Sequence, residues 1–405
     1  MRKILFIVID GLADRPIKAF GGKTPLEAAK TVNLDLMAQK GLCGLLKPVF
    51  RGSFPNSSDA HLSLFGYSLK TNYVGRGVFE TLGVGFCLHK GDVAIRGNFA
   101  TLDSKGRIID RRAGRIKNTA PLIKTLQGIK IDGVDCFVIA GIAHRVMVIL
   151  RGKNLSDKIS ESDPEKIMVK PKIIKPLKRP GGRKADAVVT AKILNEFSQQ
   201  AAEILKNHQF NKKREQTGLL PANYILLRAA GQMKPLANFE KKWGTKPCTV
   251  SLGLYQGVAK ALGMAVLENV ALQTSIEEKV KIAIDGLKKY DFCFLHFKDV
   301  DESGHDGDCL AKKKNIEKID KTLAMALSLP NALVVVTADH ATPCLVKQHT
   351  ADSVPALIYQ TDVGKDVYGQ LKPAEKFSEK ACQKAGWGVR LSNSFMKMVM
   401  RLAKK

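Results

Sequence analysis

A chain of 405 residues, 45% apolar and 25% charged, is globular and long enough for two or three domains. No apolar run approaches the ~20 residues of a membrane span, and the opening MRKILFIVI is too brief, and lacks a small-residue cleavage site, for a signal peptide. The formal charge of +27 raises nucleic-acid binding, but no zinc-finger or RNA-recognition motif accompanies it; the basic surface is expected to aid solubility and attract anionic substrates, with neither nucleic acid nor membrane as the expected partner.

Lys3–Ile9 reads as a buried strand that runs into Asp10-Gly11. Thr24-Pro25-Leu26-Glu27 carries a helix start, with Thr as N-cap, Pro at the first helical position and Glu at the third. Residues 33–40 suggest a short helix. Asn56-Ser57-Ser58-Asp59-Ala60-His61 is a turn entering a helix. A serine there is either an N-cap or a nucleophile aided by free backbone N–H groups. Gly75-Arg76-Gly77 is an anion clamp or a turn. Residues 94–101 read as a strand carrying Arg96. Arg111, Arg112 and Arg115 crowd five positions, either as a solvated face or as forks for carboxylate and phosphate.

Residues 134–140 and 145–150 look like two strands of one sheet. The Lys- and Pro-rich stretch 164–182 is expected to be an exposed loop. Residues 185–207 have helical periodicity, and 223–228 read as a strand ending at Arg228. Beyond it, 250–262 read as strand then helix, and 276–289 as a helix. The eight cysteines are scattered without a CxxC, which fits reduced thiols in a cytoplasmic protein.

Residues 291–297 form another buried strand pattern, leading to Asp301 and His305. On a helix that spacing puts both on one face, where they could share a metal ion. The β-branched run 333–336 ends in Asp339-His340, and His349 follows. Alone, Asp339 could cap a turn and His340 could be a core histidine. Taken with Asp10, Asp301, His305, His349 and Ser57, they form a ligand set for two ions of the zinc or manganese type. Such a pair can clamp a phosphoryl group.

The sequence resembles the archaeal-type, cofactor-independent phosphoglycerate mutases of the alkaline phosphatase superfamily. The likeness runs through Ile9–Pro16, Thr24–Glu27, Ala60–Tyr67, Gly75–Gly77, Asn98–Thr101, Asp110–Arg115, Ala222–Tyr224, His296–Asp306 and Ala338–Cys344. It implies an α/β fold: an alkaline-phosphatase-like doubly wound sheet, residues 1–85 and 236–405, with a smaller α/β domain, 86–235, inserted. It also implies interconversion of 2- and 3-phosphoglycerate through a phosphoserine in glycolysis and gluconeogenesis. The cofactors would be two divalent ions (Mn, Zn or Co), and no 2,3-bisphosphoglycerate would be needed.

One ion would take Asp301, His305 and His349; the other would take Asp10, Ser57, Asp339 and His340. A small phosphorylated substrate would meet His61, Arg96, Arg111, Arg112, Arg115, Arg228 and Lys298. Three positions depart from the family pattern. Ser58 stands where an aspartate usually follows the nucleophile, so a one-residue slip would make Ser58 the nucleophile; Ser57 is preferred because related bacterial-type mutases carry Asn-Ser at the same spacing. Gln256 replaces a common lysine, and Val32 replaces a proline. The first two leave open a metal-dependent phosphatase or phosphotransferase acting on another small phosphorylated acid.

Overall fold

The computed structural model describes residues 1–51, 55–178, 183–268, 270–362 and 372–404. The chain divides into two compact units, Met1–Tyr73 with Leu236–Lys405, and Val74–Pro235. The first break falls before the helix Arg76–Gly83, earlier than the expected 85/86, and that helix packs within the second unit on Val93–Leu102 and Tyr224–Gln232.

The first unit is built on an eight-stranded sheet. Its order is Ala265–Val266, Pro247–Val250, Phe292–Phe297, Lys3–Ile9, Ala332–Thr337, Val354–Gln360, Leu42–Lys47 and Val389–Leu391. The first five strands run parallel, and Val354–Gln360 is antiparallel to both neighbours. Phe292–Phe297, Ala332–Thr337 and Val354–Gln360 are buried at every position, and the first two accordingly read as continuous apolar runs rather than alternating ones. Phe6, Phe65, Phe239, Phe292 and Phe294 pack edge-on or tilted at centroid distances of 4.7–6.4 Å beneath the sheet.

The expected Thr24 helix start is a full capping box, in which the Thr24 hydroxyl takes the Glu27 N–H and Glu27 reaches back to Thr24 N. Its helix, Pro25–Ala28, is a single turn. The helix after it begins at Val32 rather than 33, and Ile276–Lys289 has the expected bounds.

The second unit is a six-stranded antiparallel sheet. Val93–Leu102 lies at its centre, pairing Ile108–Asp110, Arg145–Arg151 and Tyr224–Gln232. Helix Lys184–Asn207 covers the sheet with Leu194, Phe197 and Leu205. The strand expected to end at Arg228 continues to Gln232. Its register against Val93–Leu102 shifts near Arg96, and Ala229 takes a left-handed φ of 53° to absorb the irregularity. Residues 164–178 carry no helix or strand and are largely exposed, and 179–182 lie outside the described residues. No helix among the described residues is long and apolar enough to cross a membrane.

Candidate functional site

Three parallel strands of the first unit deliver acids at their C-terminal ends. Asp10 follows Lys3–Ile9, Asp339-His340 follows Ala332–Thr337, and Asp301 lies on the helix Asp299–Asp306 just past Phe292–Phe297. This is where open α/β sheets gather ligands. Ser57 is the first residue of helix Ser57–Leu64. The N-cap is Asn56, whose side chain accepts from Asp59 N at 3.0 Å. Capping is therefore done by a neighbour. The Ser58 hydroxyl also turns to Asn56 Oδ1 at 2.8 Å, while Ser57 Oγ lies 3.3 Å from His340 Nε2.

Two groups of convergent ligand atoms result: Asp10 with Asp339 and His340, and Asp301 with His305 and His349. Within each, the atoms lie no more than 4.8 Å from one another. In the first, His340 Nε2 is 3.1 Å from Asp339 and 3.5 Å from Asp10. In the second, His305 and His349 bring their Nε2 atoms 3.5 and 3.6 Å from Asp301 Oδ1. The rings of His340 and His349 stack at 3.6 Å, so the two groups adjoin.

The hydrogen bonds assign the tautomers. His305 Nδ1 meets the Lys347 carbonyl at 3.0 Å, and His349 Nδ1 meets the Pro55 carbonyl at 3.1 Å. A carbonyl only accepts, so each Nδ1 carries the proton and each Nε2 presents a lone pair. Those two Nε2 atoms face each other at 3.0 Å, an arrangement that a cation between them would relieve. Asp10 Oδ1 and Asp339 Oδ2 are buried without hydrogen-bond partners. Burial, then Asp301 and Asp339, push the Asp10 carboxyl well above the usual carboxylate range. Burial, then His340, lower His349 to about 4. Crowded acids, orphaned oxygens and facing lone pairs all fit metal ions held by these six residues.

Sequence reasoning missed three neighbours. Thr342 donates to Asp301 Oδ1 at 2.6 Å. Tyr255, from helix Gly253–Ala261, donates its phenol to Asp10 Oδ2. Burial, then Asp10, raise that phenol well above its usual range, so it keeps the proton it donates. His296 stacks on Tyr255 at 3.6 Å and lies 3.6 Å from Asp10. Tyr255 immediately precedes Gln256, the only signal that the stretch mattered.

His61 is fully buried, gives Nδ1 to the Ser57 carbonyl at 2.7 Å and lies 3.7 Å from Asp339. That placement supports Ser57 from within rather than meeting a substrate. Lys298 Nζ lies 3.4 Å from Asp301 Oδ2, with its side chain half exposed.

The expected arginines gather in the second unit. Arg96 and Arg228 stand opposite each other on paired strands. Burial pushes the Arg96 guanidinium down to about 8, with Arg76, Arg145 and Arg228 adding to it against the pull of Glu80. Arg96 Nε and Arg228 Nε are buried without hydrogen bonds, although Glu80 Oε2 lies 3.4 Å from Arg96 Nε and Glu165 pairs with the other end of Arg228. A guanidinium does not surrender its proton in water, so an anion is the fitting relief. Arg145 belongs to this set and was not foreseen.

Arg111 is spent on a bidentate pair with buried Asp163, at 3.0 and 2.8 Å. Arg112 and Arg115 are exposed on the turn Ala113-Gly114-Arg115. All three turn residues have left-handed φ (46°, 63° and 56°), and Asp110 Oδ1 accepts from Arg112 N and Gly114 N. Two non-glycine residues held there represent strain that the surrounding fold maintains.

Known proteins place the chain. Residues 38–211 match the family model described as 2,3-bisphosphoglycerate-independent phosphoglycerate mutase. Curated proteins of that name are similar to it: one from Archaeoglobus fulgidus is 42% identical over 95% of both chains, and one from Methanocorpusculum labreanum is 40% identical over 88% of both. Among solved structures, a Pyrococcus horikoshii protein is similar with a TM-score of 0.83 and 32% identity, covering 100% of this chain and 97% of that one. The cofactor-independent phosphoglycerate mutase of Thermoplasma acidophilum is similar with a TM-score of 0.72 and 31% identity, covering 100% of both.

Proposed function

The chain belongs to the 2,3-bisphosphoglycerate-independent phosphoglycerate mutase family, and on that premise we propose that it interconverts 2- and 3-phosphoglycerate through a phosphoserine at Ser57, in the cytoplasm, as a step of glycolysis and gluconeogenesis. The observation that carries this reading is the convergence of two acid–histidine groups beside one serine hydroxyl that does not cap its own helix. Two divalent ions (Mn, Zn or Co), held by Asp301, His305 and His349 and by Asp10, Asp339 and His340 with Ser57, would neutralise phosphoryl charge and acidify the serine hydroxyl.

The chain's own groups do the rest. Ser57 Oγ donates to the Nε2 lone pair of His340 at 3.3 Å. The free N–H groups at that helix start favour a phosphate. Ser57 takes the phosphoryl group, and the glycerate takes it back on its other hydroxyl oxygen. Because Ser57 itself is the phosphoryl carrier, no 2,3-bisphosphoglycerate is required. The arginine cluster of the second unit is suited to anionic groups, with Arg111 acting through Asp163 as a strut.

The test is an enolase-coupled assay with 3-phosphoglycerate and no bisphosphoglycerate, run with chelator and with each metal restored, while free phosphate is followed. Metal-dependent 2-phosphoglycerate formation that is lost in Ser57→Ala and kept in Ser58→Ala supports the proposal. Phosphate release without isomerisation would replace it with a metal-dependent phosphatase acting on a small phosphorylated acid. The serine at position 58 and Gln256 are the departures that would then matter.

A further inference from the structure

We propose that Cys43 and Cys382 form a modification site, a buried thiol pair that closes into a reversible disulfide and staples the strand Leu42–Lys47 to the helix Glu379–Lys384. All eight cysteines are free in the structure. Cys43 and Cys382 are both fully buried, and their thiols share a hydrogen bond. Cys43 Sγ also faces the Ala38 carbonyl at 3.9 Å. That carbonyl only accepts, so the Cys43 proton turns to it and the Cys43 sulfur is left to accept from Cys382. Two sulfurs in contact need only a small approach to bond, provided that the backbones carrying them already run side by side.

The main chain meets that condition. The helix packs directly on the strand. Trp387 N donates to the carbonyl of Cys43 itself at 3.1 Å, and Leu45 N donates to the Gly388 carbonyl at 2.8 Å. A Cβ on Gly386 would lie 1.8 Å from the Cys43 carbonyl oxygen, so only glycine lets the chain after the helix run this close. Cys248 and Cys293 also share a hydrogen bond, but they are register partners on two parallel strands, where the ladder holds both backbones. Cys382 instead rides a six-residue helix outside any ladder, which can shift by the small distance a bond requires. At the start of the same helix, Glu379 accepts from the Thr24 hydroxyl at 2.8 Å and from Asp14 N at 3.1 Å. The staple therefore also steadies the segment that follows Asp10.

The oxidant is a low-molecular-weight disulfide. One cysteine attacks it as the thiolate, forming a mixed disulfide and releasing one small thiol. The second cysteine then attacks the protein sulfur of that mixed disulfide, which forms the bridge and releases the other small thiol. Two electrons pass from the protein sulfurs to the oxidant, and the two protons leave with the released thiols. Contact with Cys382, then burial, push the Cys43 thiol well above its usual range, so the exchange waits on local opening of the short helix and is slow. The same burial shields the closed bridge from reductants. Linking residues so far apart in the chain restricts the unfolded state strongly.

The experiment incubates native full-length protein with excess oxidised glutathione, then denatures it, blocks the remaining thiols and maps its peptides by mass spectrometry without reductant. A cross-link between the Cys43 and Cys382 peptides is expected in most chains. It should vanish on adding dithiothreitol and be absent from both Cys382→Ala and Cys382→Ser. The bridged protein should unfold at a higher urea concentration than the reduced protein, and the Cys382 variants should show no such difference. A Cys43 that stays free or stops at a glutathione adduct would overturn the proposal. So would a Cys43 cross-link that survives in Cys382→Ala, or a bridged protein that unfolds at the same urea concentration as the reduced one.

Discussion

Lys312 and Asp14 form an ion pair with both side chains fully buried, Nζ to Oδ2 at 2.8 Å. The ammonium also donates to the Ala13 and Thr342 carbonyls at 3.3 and 2.9 Å. Asp14 accepts from Arg15 N at 2.8 Å and from Cys344 N at 3.1 Å. The pair therefore pins the segment after Asp10 to the segment after His340. Lys312→Met keeps the stem and removes the charge, leaving a buried carboxylate and two carbonyls short of a donor. Breaking one side of a buried pair costs about 3–5 kcal/mol. Asp14 keeps two backbone donors, so the loss should fall near the lower end, about 3 kcal/mol, a large share of a stability of ~5–15 kcal/mol.

Both tryptophans, Trp243 and Trp387, lie in the first unit, so intrinsic fluorescence during urea unfolding reports that unit. The double variant Lys312→Met/Asp14→Leu should recover at least about 1 kcal/mol, because no charge is stranded. A Met variant that unfolds at the wild-type midpoint would refute the reasoning, as would a double variant less stable than the single one.

Gly11 and Gly21 have the same left-handed φ, +63° and +64°, but a Cβ on Gly11 would strike Thr342 Oγ1 and Asp301 Oδ1 at 2.6 and 2.8 Å, while Gly21 faces open space. Gly11→Ala should lower activity at least about a hundredfold and Gly21→Ala only slightly, since φ strain alone costs about 1–2 kcal/mol; comparable activities would sink the steric argument. Millimolar phosphate or 3-phosphoglycerate should raise the melting temperature by occupying the arginine cluster, and Arg96→Met should largely abolish the shift. An Arg96→Met protein stabilised as much as wild type would place anion binding elsewhere. Burial, then Arg145, Arg112, Arg96 and Arg228, lower His144 to about 4 from 6.5. Its neutral form is favoured by folding, so this contribution to stability is present above pH 6.5 and is lost as pH falls through about 4. Proton NMR should find its ring titrating near 4, and a midpoint near 6.5 would contradict the burial.

The acids and histidines were legible because they end buried strands, and an apolar run that stops at a carboxylate is visible without a structure. The Asp301–His305 spacing worked because that segment is a helix. The strand Val354–Gln360 went unassigned: it carries a proline at its second position and runs against its neighbours, so no alternating or crossover pattern marks it. Arg145 was invisible because its partners arrive from Val93–Leu102 and Tyr224–Gln232, and pairing across that much chain leaves no local trace. Tyr255 was hidden for the same reason, being 245 residues from the Asp10 carboxylate it serves.

The tautomer control is hidden for a different reason. Lys347, Pro55 and Ser57 act on histidines through main-chain carbonyls, so any residue in those places would serve and none can be recognised by type. Thr342 is the exception, because its partner atom belongs to a side chain. A hydroxyl at that position is a choice a sequence can record.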